Sequence, residues 1–155
     1  MLCVFAGCLL VSAQFSQNPP QQQRQTQIIP FPKVEQEELF HQAIEALEAK
    51  NTDAMVQLMD RAVATDVTNH FAYIKRAQLF DLIGNNDRAA RDYTMALGFI
   101  GHDAHYADVF QMRGCANFKL GNLQGAVSDW VTFIRLKPDK EAEHWQICVA
   151  YALLG

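Results

Sequence analysis

The stretch RAQLFDLIGNNDRAARDYTMAL, Arg76–Leu97, is echoed by RGCANFKLGNLQGAVSDWVTFI, Arg113–Ile134, at an offset of 37 residues. A period of this size marks a stack of small helical units, each too small to bury its own apolar face. Within the echo, small residues recur where helices must approach closely: Ala77 and Gly114, then Ala89 and Ala126. Large residues recur where a hole must be filled: Tyr93 and Trp130, each preceded by an aspartate, Asp92 and Asp129. Gly84-Asn85-Asn86 and Gly121-Asn122 separate the two helices of each unit, because glycine readily takes the left-handed turn that ends a helix.

Reading outward, the second pair is predicted over Phe71–Leu82 and Asp87–Phe99, the third over Tyr106–Leu120 and Leu123–Leu136. The underlying unit is 34 residues, with three extra residues in the Gly98–Ala107 connection. Upstream, Leu39, Ala43, Ala46 and Leu47 form one helical stripe, and Met55, Leu58, Met59, Ala62 and Val63 a second. Lys50 stands where the turn glycine is missing, so this first pair is degenerate. Downstream, Pro138 stops the third pair, and Ala142–Leu154 reads as a final single helix.

The pattern resembles the tetratricopeptide repeat family, on Ala77, Phe80, Gly84, Ala89, Tyr93 and Ala96 in one repeat and Gly114, Gly121, Ala126, Trp130 and Pro138 in the next. Asn117 departs from it, since an aromatic is usual there, and Phe133 replaces the alanine seen at Ala96. The resemblance implies an all-α fold of antiparallel helix pairs stacked as a right-handed solenoid. Repeats are expected over residues 36–69, 70–106 and 107–140, followed by a terminal helix over 141–155. The start of that helix, His144-Trp145-Gln146, also resembles a unit of uncharacterised bacterial and plastid members whose chains continue further. The helix is too apolar for a clean cap, so a truncated repeat or a helix covered by a partner is expected.

The remainder of the chain differs in composition. Residues 2–11, LCVFAGCLLV, are an apolar run too short to span a bilayer, and Val11-Ser12-Ala13 suits a cut after Ala13. Residues 1–13 are therefore expected to be a signal peptide, which would place the protein outside the cytoplasm; without one it would be cytoplasmic. No lysine or arginine precedes Arg24, so a basic flank is lacking. Residues 14–32 hold seven glutamines and four prolines and read as a disordered tether to a domain over 33–155. Cys115 and Cys148 fall in helical patterns and are expected to be buried thiols, with a disulfide as the alternative after export.

The net charge is −4 and no basic stripe occurs, so nucleic acid is not an expected partner. The eight acidic residues from Glu35 to Asp66, against Lys50 and Arg61, are expected to be a solvated surface. His102, Asp103, His105 and Asp108 are the nearest approach to a metal cluster, better read as a capped loop. No metalloprotease, phosphate-loop or nucleophile-elbow motif occurs, so neither catalysis nor a cofactor is expected.

In the family that this chain resembles, the first helix of each pair lines a concave face that holds a protein or peptide. That implies Phe40, Ile44 and Leu47 from the first repeat, and Phe71, Ile74, Gln78 and Asp81 from the second. The third would give Asp108, Gln111, Cys115, Phe118 and Lys119, and the last helix Trp145 and Val149. Some members clamp the carboxylate tail of a chaperone with basic and amide side chains. The matching positions here are Phe40, Ile44, Lys75, Gln78, Asp108 and Met112, of which Lys75 alone is basic, so no carboxylate-clamp tail is expected. The alternative to a peptide groove is a structural role, with a homo-oligomer formed through the last helix.

Overall fold

The computed structural model describes residues 34–139 and, beyond them, Trp145, Val149, Ala152 and Leu153. Six helices form three consecutive antiparallel pairs: α1 (Val34–Glu48) with α2 (Thr52–Thr65), α3 (His70–Leu82) with α4 (Asn86–Ile100), and α5 (Ala107–Lys119) with α6 (Leu123–Leu136). The most extensive contacts lie within the pairs, and α4 packs along α5 to join the second pair to the third. This is the paired-helix solenoid that the 37-residue echo predicts. The stretches read as leader and tether, and Cys148, lie outside the described residues. Backbone at Trp145, Val149, Ala152 and Leu153 is helical, within the range expected for a final helix.

The turn inside each pair is the same device used three times. Lys50, Gly84 and Gly121 have φ of 59°, 75° and 79°. The amide after each reaches back five residues: Asn51 N to Ala46 O at 2.8 Å, Asn85 N to Phe80 O at 2.8 Å, and Asn122 N to Asn117 O at 2.9 Å. Each left-handed residue thus closes a Schellman motif. Lys50 adopts the glycine conformation despite its Cβ. The following asparagine caps the next helix, its side-chain oxygen accepting from the amide of Ala54, Arg88 or Gly125.

Burial follows the small and large alternation. Ala43, Ala77, Ala89 and Ala126 are fully buried, as are Met59, Tyr93 and Trp130, which occupy one register position in successive pairs. Gly114 is indispensable to that packing: a Cβ on it would stand 2.6 Å from Trp130 Nε1. Burying each large side chain stabilises the stack by roughly 1.5–3 kcal/mol. The three extra residues form a 3₁₀ turn, Ala104–Tyr106, whose N-cap Asp103 accepts from the His105 amide.

Polar side chains stitch the pairs. Arg76 donates to Asp92 through Nε and Nη2, both at 2.7 Å, and Arg113 repeats this with Asp129 at 2.9 and 2.6 Å. Each arginine also reaches back to the preceding pair, Arg76 Nη1 to Asp60 at 2.8 Å and Arg113 Nη1 to Thr94 Oγ1 at 3.2 Å. The aspartates before Tyr93 and Trp130 are therefore structural anchors. Asn117, where an aromatic was the family pattern, donates to Asp129 Oδ2 instead. In the first pair, buried Gln36 bridges Ala62 O and Asn69, and Asn69 caps α3 through the Phe71 amide.

Candidate functional site

The helices expected to line the concave face are α1, α3 and α5. On α1, Phe40 is buried in the core and Ile44 is exposed. On α3, Ile74 is buried, while Phe71 and Gln78 are half-buried. On α5, Gln111, Cys115 and Phe118 are half-buried, and Asp108 and Lys119 are exposed. Trp145 and Val149 are exposed. Phe40 and Ile74 thus serve the core, and the half-buried group on α3 and α5 remains available at the surface.

That group is joined across the second and third pairs. Gln78 Nε2 donates to Met112 Sδ at 3.7 Å. Tyr93 of α4 reaches through to donate its hydroxyl to Asp81 Oδ2 at 2.9 Å and lies 3.5 Å from the same sulfur. Burial, then the Asp81 charge, push the Tyr93 pKa far above the usual phenol range, so the phenol stays a donor. Asp81 Oδ1 accepts no hydrogen bond, and Lys119 Nζ stands 3.7 Å away. Sequence reading treats Tyr93 as packing alone; its hydroxyl's role appears only when α3, α4 and α5 come together.

Cys115 sits between this cluster and Trp130. Burial pushes its thiol up, partly offset by the Trp130 indole beside it, and a protonated thiol is a weak nucleophile. Phe118 packs on Trp130 with ring centroids 5.7 Å apart. Lys75 Nζ lies 5.2 Å over the Phe71 ring rather than on a carboxylate. Asp108 is held by Lys137 Nζ at 2.9 Å. The cluster offers amide, sulfur, aromatic and cationic groups at a partly solvated face.

The histidine cluster disperses. His105 Nδ1 meets Asp103 at 2.8 Å, His102 stacks on Phe110, and Asp108 faces Lys137. Among the described residues, no group of three or more His, Cys, Asp or Glu could hold a metal ion. An open cavity of about 450 Å³ lies at the turn of the second pair, lined by residues 83–87 and Leu120. Among the described residues no helix is long and apolar enough to cross a membrane.

No protein-family model and no curated protein matches the chain. Solved structures do. The first tetratricopeptide domain of Spaghetti (RPAP3), bound to the HSP90 peptide SRMEEVD, is 18% identical with a TM-score of 0.65, covering 77% of this chain and 93% of that one. The second such domain of human RPAP3, in complex with the HSP70 peptide SGPTIEEVD, is 21% identical with a TM-score of 0.65, over 78% of this chain and 98% of that one. The Sgt2 domain from Aspergillus fumigatus is 18% identical with a TM-score of 0.65, over 79% and 81%. The fold is therefore a tetratricopeptide-like solenoid. Its likeness to human and fungal domains shows that it is not confined to bacterial or plastid proteins.

These comparisons correct one expectation. The sequence reading excludes a carboxylate-clamp tail, yet two domains with this fold are themselves bound to peptides ending in EEVD. The exclusion rests on matching six positions one by one, which identities of 18–21% do not support. The groove helices also carry two lysines: Lys75, whose Nζ lies over the Phe71 ring, and Lys119, paired with Asp81 at 3.7 Å. The exclusion does not stand.

Proposed function

We propose that this protein is a non-enzymatic module that binds a protein or peptide segment along the face formed by α1, α3 and α5. One observation carries the reading. On α3 and α5 the core consumes one side of each helix, while Phe71, Gln78, Gln111, Cys115 and Phe118 stay partly solvated, and Gln78 reaches across to Met112 of α5 at 3.7 Å. Such a mixture of apolar anchors and hydrogen-bonding groups suits an extended or helical peptide. The peptide complexes of two domains with this fold support it.

The test is capture of peptides from a random library, with SGPTIEEVD as a defined probe. Gln111→Arg and Lys75→Glu change partly exposed side chains and leave the core untouched. Loss of capture with unchanged circular dichroism supports the reading; undiminished capture in both variants overturns it.

A second reading is an assembly role, favoured by the exposure of Trp145 and Leu153. It predicts concentration-dependent oligomers that disperse on Leu153→Asp. Residues 1–13 are proposed to direct export, residues 14–32 to tether the domain over 33–155, and the last helix to share the character of uncharacterised bacterial and plastid members. The mass of the protein after expression in a secreting host tests the first of these.

A further inference from the structure

Gln78 of α3 meets Met112 of α5, 34 residues on, and Asp81 stands at the same offset from Cys115. Gln78 and Asp81 are three apart on one helix, Cys115 and Lys119 four apart on the other, so each couple shares a helix face. Burial above all raises the Cys115 pKa, and the Lys119 and Asp81 charges act on it in opposite directions, which places the three groups in one neighbourhood. Asp81 is bonded differently from the aspartates around it. Asp92, Asp108 and Asp129 each hold a cation at hydrogen-bond distance, 2.7, 2.9 and 2.6 Å. Asp81 Oδ2 accepts from the Tyr93 hydroxyl at 2.9 Å, whereas Oδ1, withdrawn from water, accepts no hydrogen bond from the described residues. Lys119 Nζ stands 3.7 Å from it, beyond hydrogen-bond reach.

A buried carboxylate oxygen with its lone pairs unused costs free energy that a well-placed donor recovers. Tyr93 fixes which oxygen that is. Its phenol stays protonated, so Oδ2 remains occupied and Oδ1 is left for a ligand. Lys119 is a weak competitor, since its side chain is half exposed and such pairs contribute little. The surroundings suit a long aliphatic stem with a charged head: the Met112 thioether and the half-buried Cys115 thiol offer soft apolar surface beside the acid. Gln78 spends its amide on the Met112 sulfur, a weak acceptor, at 3.7 Å.

Resting on the groove reading above, we propose that Asp81 is a subsite for a lysine or arginine side chain of the bound peptide, whose cation displaces Lys119 and donates to Oδ1. Gln78 turns from Met112 to the adjoining peptide backbone. One cation replaces another, so the charge of the site is unchanged, and the gain is the hydrogen bond that Lys119 does not make. The groove then selects peptides that carry a basic residue at one fixed position.

A displayed library of random peptides, selected on the full chain, on Asp81→Asn and on Lys119→Met, tests this. Asp81→Asn keeps an oxygen for the Tyr93 hydroxyl, Lys119 lies at the surface, and circular dichroism checks both folds. The full chain is expected to enrich lysine or arginine severalfold at one position. Asp81→Asn should lose that enrichment while still capturing peptides, and Lys119→Met should sharpen it and bind the same basic peptides severalfold more tightly. A merely structural Asp81–Lys119 pair would give no such tightening, and unchanged or weaker basic selection by Lys119→Met overturns the subsite even if Asp81→Asn unfolds. Basic enrichment that persists in folded Asp81→Asn overturns it as well, because other acids then supply the contact. Acidic enrichment that vanishes in Lys119→Met overturns it by making Lys119 the anchor. Capture without a basic position removes the subsite and leaves the groove reading standing; capture by none of the three chains removes both.

Discussion

Arg113 clasps Asp129 with two parallel hydrogen bonds, and the aspartate is almost fully withdrawn from water. Removing the arginine leaves a buried carboxylate without its counter-charge, held by the Asn117 amide alone. Arg113→Ala is expected to lower stability by about 3–5 kcal/mol, and the double change Arg113→Met/Asp129→Leu to restore most of it. Urea unfolding measures both. Equal losses in the single and double variants would show that the clasp is not a coupled pair.

Lys50 holds a left-handed backbone in the turn where the other pairs use Gly84 and Gly121. A side chain in that region costs about 1–2 kcal/mol, part of which glycine returns as unfolded-chain entropy. Lys50→Gly should therefore raise stability by roughly 0.5–1 kcal/mol, whereas Gly84→Ala or Gly121→Ala should lower it by about 1 kcal/mol or more. Thermal melts of the three variants check the opposite signs.

Gly114 is a different glycine, with ordinary helical backbone but no room. A methyl there would meet the Trp130 indole at 2.6 Å. Gly114→Ala is expected to cost about 1–3 kcal/mol through overpacking and to shift the Trp130 emission. Ala77 fills the same register position beneath Tyr93, so Ala77→Gly should also destabilise, there by leaving a gap.

His70 opens α3 with its Nε2 3.1 Å from the Tyr106 hydroxyl. Burial lowers its pKa below 6.5, so the folded state resists protonation while the unfolded chain does not. Stability is then full above about pH 6.5 and declines as the pH falls through the folded value. A urea midpoint that drops between pH 7.5 and 5, less steeply in His70→Gln, is the expected result. Tyr93 works in the opposite direction: its raised pKa means that stability falls as the pH climbs above about 10.

Much of the architecture could be read from residue types. The two glycine turns, the paired small residues and the aromatic plugs are local or periodic signals, and all six helices lie where those signals put them. Lys50 hid its turn because the sequence signal is glycine, whereas the structure imposes the conformation through the Asn51 cap and the reach back to Ala46. The arginine clasps carry no local sequence signal. Arg76 and Asp92 lie 16 residues apart on two helices, a separation without a periodic signature, although their exact recurrence at Arg113 and Asp129 was in plain view. At the groove, helical spacing could place a residue on a face but could not divide that face between core and solvent. Phe40 and Ile74 went inward, and Gln78 and Cys115 stayed at the edge, according to how closely the neighbouring pair approached.

The back-reaching arm of each arginine gives the two junctions between pairs different characters. Between the first and second pairs it ends on the carboxylate of Asp60, largely exposed to water, and α2 touches α3 over a short stretch. Between the second and third it ends on the Thr94 hydroxyl, and α4 runs along α5 over a longer one. In a linear stack, stability is a sum of units and of the seams between them. Ionic strength weakens exposed charge pairs and leaves hydroxyl contacts and apolar burial nearly untouched. Rising salt should therefore loosen the chain from one side, freeing α1 and α2 while the following four helices hold as a block.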